Sequence, residues 1–222
     1  MSRSVVITGG TGGLGAAVTQ ALLGEGWQVV VPWVARKELE RVPSSDNLTL
    51  IEADLFDAAA AAEVVAAAPA PLKAVVNLVG GFAMSGRVHE TPIEEFEAQL
   101  RLNLRPGYLM CHAALPRLIE SGGGAVVCVS SQATRRPFAG AAGYLTAKTA
   151  VLGLVGALHA EYERDGIRVN AILPNVIDTP ANRAEQPNAD TTGWTKPEVI
   201  AQTIAFLCDD RSAAVRGSHI LV

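Results

Sequence analysis

A glycine-rich turn near the N-terminus constrains the possible fold most strongly. The stretch Thr8–Gly15 has the sequence TGGTGGLG, follows the apolar run Val5–Ile7 directly and precedes a helical pattern. Glycines here allow a tight turn and a close approach of the backbone to a pyrophosphate, whose charge is favoured at a helix N-terminus. A merely flexible glycine turn is the alternative. The strand before the turn and the helix after it favour a dinucleotide-binding unit.

Strand-like and helical patterns alternate along the rest of the chain. Apolar runs predict strands at 5–8, 28–32, 48–52, 74–79, 125–130, 167–173 and 218–222, and helical periodicity predicts helices at about 13–25, 57–68, 92–120, 141–165 and 197–209. This alternation is typical of parallel strands with right-handed crossovers. We therefore expect one α/β domain over residues 1–222, with a doubly wound, Rossmann-like parallel sheet of about seven strands and helices on both faces. The aperiodic stretch 178–196 follows the sixth strand and is predicted to be the substrate loop.

Composition and charge exclude several classes of protein. Hydrophobic residues make up 49% of the chain and charged residues 18%, which indicates a globular protein. A net charge of -4 argues against a nucleic-acid partner, and we expect no membrane span and no signal peptide. The three cysteines lie far apart in apolar segments, and the four histidines lack metal-ligand spacing. We therefore predict buried thiols, no metal site and a cytoplasmic location.

A tyrosine and a lysine are spaced for proton chemistry. Tyr144 and Lys148 stand four residues apart in a predicted helix, which places them on one face. A cation at ~5 Å in an effective dielectric of ~20 favours phenolate by roughly 3 kcal/mol and lowers the phenol pKa by about two. Such a tyrosine could exchange a proton with a carbonyl or an alcohol near neutral pH. The alternative is an exposed helix face with no catalytic role.

From Val5 to Val222 these motifs resemble the short-chain dehydrogenase/reductase family. The glycine turn matches its cofactor motif, Tyr144-x-x-x-Lys148 matches its active-site motif, and Ser131 stands 13 residues before the tyrosine, as in the family. The resemblance implies four catalytic residues, namely Asn103, Ser131, Tyr144 and Lys148.

The resemblance also implies a role for each of these four residues. Tyr144 would be the general acid and base, and Lys148 would lower its pKa and bind the nicotinamide ribose. Ser131 would hydrogen-bond the substrate oxygen, and Asn103 would hold a water that links Lys148 to solvent. The implied activity is hydride transfer between NAD(P) and a small carbonyl or alcohol. A non-catalytic nucleotide-binding regulatory protein is the alternative from another class.

Further positions match cofactor-binding positions of the family. An Asn-x-x-Gly pair follows the fourth strand, an aspartate follows the third, and a Pro-x-x-Ile segment follows the sixth. For the aspartate, Asp54, the alternative is capping of the helix that begins near Asp57. The resemblance implies that the cofactor is bound by Gly9, Thr11, Gly13, Leu14, Gly15, Trp33, Arg36, Asp54, Leu55, Asn77, Gly80, Tyr144, Lys148, Pro174, Ile177 and Thr179.

The end of the second strand bears on the choice between NAD and NADP. A carboxylate there would bind the ribose hydroxyls of NAD, but the residue is Trp33, with Arg36 and Lys37 shortly after it. The sequence therefore favours NADP. Solvated surface cations are the alternative for the two basic residues.

The segment after residue 172 is similar to the dihydropteridine reductase branch of the family. The match consists of Leu173-Pro174-x-x-Ile177-Asp178-Thr179-Pro180-x-Asn182-Arg183 and continues to Trp194-Thr195. Quinonoid dihydropteridine reduction is therefore an alternative activity. Arg135 and Arg136 border the expected site and could hold an anionic substrate, or could be a solvated pair. Family members commonly pair the helices at 92–120 and 141–165 between subunits, so a homodimer or homotetramer is expected.

Overall fold

The computed structural model describes residues 3–222, which form one seven-stranded parallel sheet. The strands are β1 (Ser4–Thr8), β2 (Gln28–Trp33), β3 (Leu48–Glu52), β4 (Leu72–Asn77), β5 (Gly124–Val129), β6 (Ile167–Leu173) and β7 (His219–Leu221). Their order across the sheet is β3-β2-β1-β4-β5-β6-β7. This arrangement confirms the predicted doubly wound fold, and the strand order reverses between β1 and β4.

Helices cover both faces of the sheet. They are α1 (Gly13–Gly24), α2 (Ala58–Ala66), α3 (Ile93–Glu120), α4 (Ala142–Tyr162), α5 (Pro180–Glu185) and α6 (Pro197–Cys208). Buried residues of α2, α3 and α4 pack on one face, and those of α1 and α6 pack on the other. Central strands are therefore apolar on both faces, as in the fully buried β1, whereas edge strands β3 and β7 expose side chains.

The segment 178–196 is more ordered than its aperiodic sequence predicts. It contains α5, which begins after Thr179, whose hydroxyl accepts a hydrogen bond from the Asn182 amide. Backbone hydrogen bonds from Asp178 to Thr195 and from Thr195 to Val176 close its base. Six residues are too few to show helical periodicity, but Thr179 followed by Pro180 is a helix-start signal that the sequence does contain.

Residues 3–222 include neither a helix that could span a membrane nor a cluster of potential metal ligands. None of the helices there is long and apolar enough to cross a membrane. Across the same residues, no three histidine, cysteine, aspartate or glutamate side chains are placed to share a metal ion.

Candidate active site

A cavity of about 910 Å³ opens at the carboxyl ends of the central strands. One end lies on the glycine turn between β1 and α1, and the other end lies beside Tyr144 of α4. It therefore occupies the crevice where ligands bind in open α/β sheets. The predicted site residues that line it are Gly9, Gly13, Leu14, Gly15, Gly80, Ser131, Tyr144, Lys148, Pro174, Ile177 and Thr179.

The glycine turn has no room for larger side chains. A Cβ on Gly15 would overlap the Gly9 carbonyl oxygen and lie 2.7 Å from the Gly10 Cα. A Cβ on Gly13 would lie 2.8 Å from the Thr179 methyl group. The N-cap of α1 is Gly12, without a side-chain cap and without an acidic residue in the first turn. The first-turn amides therefore face the cavity unblocked, which fits the pyrophosphate of a dinucleotide.

Ser131, Tyr144 and Lys148 meet on one wall of the cavity although they come from two segments. Ser131 stands just after β5, and its hydroxyl accepts a hydrogen bond from the Ala133 amide at 3.2 Å. Tyr144 and Lys148 are one turn apart on α4, and the Lys148 Nζ lies 5.9 Å from the centroid of the Tyr144 ring. The structure thus brings together three of the four predicted catalytic side chains.

The pKa of the Tyr144 phenol is shifted in the direction opposite to the prediction. Burial raises the pKa of Tyr144 above its usual value, and the Ser131 hydroxyl offsets only part of the rise. The Lys148 ammonium donates instead to the Val129 carbonyl at 3.2 Å. Burial also lowers the pKa of Lys148 to about 8. The i,i+4 spacing predicts proximity to the ring, but the direction of the lysine side chain is decided by β5.

Asn103 supports the turn after β4 rather than lining the cavity. Its Oδ1 accepts from the Gly81 amide at 3.0 Å, and its Nδ2 donates to the Gly81 carbonyl at 3.0 Å. A Cβ on Gly80 would lie 2.7 Å from the Asn103 Oδ1 and 2.9 Å from the Lys148 Nζ. Gly80 therefore allows the asparagine and the lysine to approach each other. The implied water between them stays a prediction.

Six of the predicted cofactor residues lie outside the cavity lining. Leu55 is buried in the core beside α2, and the Asn77 amide nitrogen faces Cys111 and Cys128. Asp54 accepts a hydrogen bond from the Phe56 amide, whereas the cap of α2 is Asp57. The capping alternative for Asp54 is therefore wrong. The six residues are Thr11, Trp33, Arg36, Asp54, Leu55 and Asn77.

A polar contact at the end of β2 was missed by the sequence reasoning. In the 3-10 helix Arg36–Arg41, Glu38 accepts a hydrogen bond from the Thr11 hydroxyl at 2.9 Å and pairs with Arg41 at 3.2 Å. This ties the 3-10 helix to the glycine turn. Arg36 lies over the Trp33 ring, 5.6 Å from its centroid. The i,i+3 spacing of Glu38 and Arg41 is the sequence signal that could have indicated their ion pair.

Exposed apolar side chains at the far end of the cavity were also missed. They are Phe82, Met84 and Phe138. Of the two arginines that were expected to border the site, Arg136 lines the cavity and Arg135 does not. The three apolar residues lie on loops that carry no periodic pattern. Their sequence signal was weak because single exposed apolar residues are common on protein surfaces.

Comparison with known proteins identifies the same family that the sequence motifs resemble. The model of the short chain dehydrogenase family matches residues 3–190. The chain is 31% identical to 2-(R)-hydroxypropyl-CoM dehydrogenase of Xanthobacter autotrophicus, with 100% of this chain and 97% of the relative covered. It is 33% identical to a probable galactose dehydrogenase of Rhizobium meliloti, with 99% and 93% covered.

A solved structure, ElxO with NADP bound, has the same fold. It superimposes with a TM-score of 0.90 at 23% identity, covering 100% of this chain and 97% of ElxO. The family match and these relatives confirm the prediction of an oxidoreductase, whereas the narrower likeness to dihydropteridine reductases stays a prediction. On this evidence the chain belongs to the short-chain dehydrogenase family and is one of its oxidoreductase enzymes.

Proposed function

We propose that this enzyme transfers hydride between NADP(H) and a small carbonyl or alcohol, with Tyr144 as the proton donor and acceptor. The observation that carries the proposal is that Ser131, Tyr144 and Lys148 line the same cavity as the glycine turn. When bound, the nicotinamide would supply the hydride. The unblocked amides at the start of α1 would hold the pyrophosphate, and Lys148 would hold the nicotinamide ribose.

The protein's own groups explain the proton half of the reaction. A carbonyl oxygen gains negative charge as hydride arrives, and hydroxyl groups positioned beside it stabilise that charge. Ser131 would donate a hydrogen bond to this oxygen while Tyr144 gives it a proton. Burial raises the pKa of the Tyr144 phenol, so the phenol is protonated at neutral pH and can give its proton to the oxygen of a carbonyl substrate.

Replacing Tyr144 by Phe tests the catalytic role directly. We expect Tyr144→Phe to lower the rate of carbonyl reduction by about 10²–10⁴-fold, since the ring stays and only the acid is lost. Its dissociation constant for NADPH should stay close to that of the wild type. Tyr162→Phe, at the end of α4 and outside this cavity, is the matched control and should keep full activity. Undiminished turnover in Tyr144→Phe would reject this role and leave the regulatory alternative open.

NADP is proposed over NAD because the 3-10 helix after β2 carries Arg36 and Arg41, while the Glu38 carboxylate between them is already paired with Arg41. Arg36 stacks over Trp33, and the Arg41 guanidinium lies 3.5 Å from the Thr11 carbonyl on the glycine turn. A 2′-phosphate would gain charge-assisted hydrogen bonds there. We expect tighter binding of NADPH than of NADH by calorimetry, and Arg36→Gln should reduce the difference by about tenfold. Equal affinities in the wild type would contradict the NADP proposal alone.

Three further properties are proposed, namely a loop that covers the substrate, an oligomeric assembly and a cellular location. The segment 178–196 would cover the bound substrate, because Glu185 at the end of α5 and the following Gln186 line the cavity. A homodimer or homotetramer would form through α3 and α4, since Tyr108 and Ile119 are exposed along α3. Light scattering at micromolar concentration would test the assembly, and a monomer mass would contradict it.

A cytoplasmic location stays a prediction, supported by three buried free thiols.

A further inference from the structure

The end of the cavity beyond Tyr144 is built from exposed apolar side chains. Phe82 meets Tyr144 edge to face with 5.0 Å between the ring centroids, and Phe138 lies 6.1 Å from Phe82. Phe82, Phe138 and Met84 are 47%, 46% and 62% exposed. Exposed apolar residues that cluster beside a reactive group mark a surface that a ligand covers. We call Phe82, Met84 and Phe138 the apolar wall.

The two loops that carry the apolar wall are tied together. The Ser85 amide donates to the Gly140 carbonyl at 2.7 Å. Gly140 has a φ of +78°, and a Cβ there would lie 2.8 Å from the Ser85 carbonyl oxygen and 3.1 Å from the Met84 methyl carbon. Only glycine accepts that conformation at such close approach. The hydrogen bond and the close approach at Gly140 therefore hold the two loops of the wall together.

A single arginine stands beside this wall. Arg136 lines the cavity, whereas its neighbour Arg135 does not. The ion pairs among residues 3–222 engage other arginines, namely Arg3, Arg41, Arg183 and Arg211. The Arg136 guanidinium is thus open to a ligand. Glu185 also lines the cavity, from the α5 side. An anionic group would be attracted toward Arg136 and repelled from Glu185, so the two charges would orient the ligand.

We propose that the natural substrate is a ketone or secondary alcohol that carries both a flat apolar group and a carboxylate. The flat group would lie on the apolar wall, the carboxylate would pair with Arg136, and the reacting oxygen would face Ser131 and Tyr144. Guanidinium and carboxylate match in geometry and form paired hydrogen bonds. This inference rests on the proposed carbonyl reduction, and it adds the class of substrate that the same site accepts.

Matched aryl ketones test the proposal. 4-Acetylbenzoate and its methyl ester share the ring and the carbonyl, and differ in the charge. We expect kcat/KM for 4-acetylbenzoate to exceed that for the ester by about tenfold at low salt, and high salt should reduce the preference. Arg136→Gln should abolish the preference, whereas Arg135→Gln, with the same change of net charge, should keep it. Equal use of acid and ester, or an equal loss in both variants, would overturn the proposal.

Binding without turnover separates this proposal from the proposed function. 4-Ethylbenzoate and methyl 4-ethylbenzoate have no reactive carbonyl, and their affinity for the enzyme with NADP⁺ is measured by calorimetry. Tighter binding of the acid, lost in Arg136→Gln and kept in Arg135→Gln, would support the anion subsite even if no ketone were reduced. Reduction of both ketones with no preference for the acid would leave the proposed function intact and reject the subsite. Failure of both ethyl compounds to bind would also reject it.

Discussion

The two ends of the candidate active-site cavity are built in opposite ways. At the glycine turn the wall is mainly backbone, and an added Cβ on Gly15 would meet backbone atoms of Gly9 and Gly10 within 2.8 Å. At the far end the walls are side chains such as Phe82 and Phe138, each about half exposed. A backbone wall can accept a part of the ligand that never varies, whereas a side-chain wall can change with the substrate. The difference explains why one fold can keep one cofactor site and adopt many specificities.

The largest expected effect comes from breaking the backbone end. Gly15→Ala would place a methyl group against the Gly9 carbonyl and the Gly10 Cα, so the turn must shift. We expect the dissociation constant for NADPH to rise by about 100-fold or more, equivalent to about 3 kcal/mol, by fluorescence titration. Gly24→Ala at the other end of α1 is the control, because its added Cβ meets nothing within 4 Å. Normal affinity in Gly15→Ala would show that the turn is not close-packed.

An intermediate effect is expected from Lys148, which lies where the two ends meet. Its pKa is lowered to about 8 by burial, so the ammonium is present below pH 8 and lost as the pH rises above it. We expect kcat/KM for NADPH, measured at saturating ketone, to fall about tenfold per pH unit above that point. Lys148→Arg keeps its charge, and any activity it retains should not show this fall. A flat wild-type profile up to pH 10 would contradict the lowered pKa.

The smallest effect is expected from the side-chain end. Phe138→Ala removes a ring that is already 46% exposed, so only part of its contact area is lost. We expect KM for aryl ketones to rise by about three- to tenfold, with unchanged affinity for NADPH. Phe206→Ala is the control, because this phenylalanine of α6 is 40% exposed and lies outside the cavity. If Phe138→Ala weakened NADPH binding as much as ketone binding, the two ends would not be separate.

Seven strands and five of the six helices could be predicted from the sequence because apolar runs mark the strands and helical periodicity marks the longer helices. β6 was predicted at 167–173 and observed as Ile167–Leu173, and α3 was predicted at 92–120 and observed as Ile93–Glu120. Each buries a periodic apolar set, which is the strongest signal that a sequence carries. The helix α5 and the 3-10 helix Arg36–Arg41 were missed because both are too short for periodicity.

The features of the candidate site also divide into those that the sequence could predict and those that it could not. The glycine turn and the pair Tyr144 and Lys148 could be predicted because each is a short motif held within one local element. The contacts of Arg41 and Glu38 with Thr11 could not, since they join segments about 30 residues apart. Nor did any pattern distinguish Arg136 from Arg135, because adjacent loop residues differ only in where the folded chain directs them.

The amino-acid sequence by itself determined the order of strands and helices along the chain, the glycine turn between β1 and α1, and the spacing of Ser131, Tyr144 and Lys148. These depend on local periodicity and on the small size of glycine, which act within a few residues. Only the tertiary structure decided the direction of the Tyr144 pKa shift, the direction of the Lys148 side chain and the walls of the far end of the cavity. Those properties depend on burial and on contacts between distant segments, and both arise only when the chain is packed.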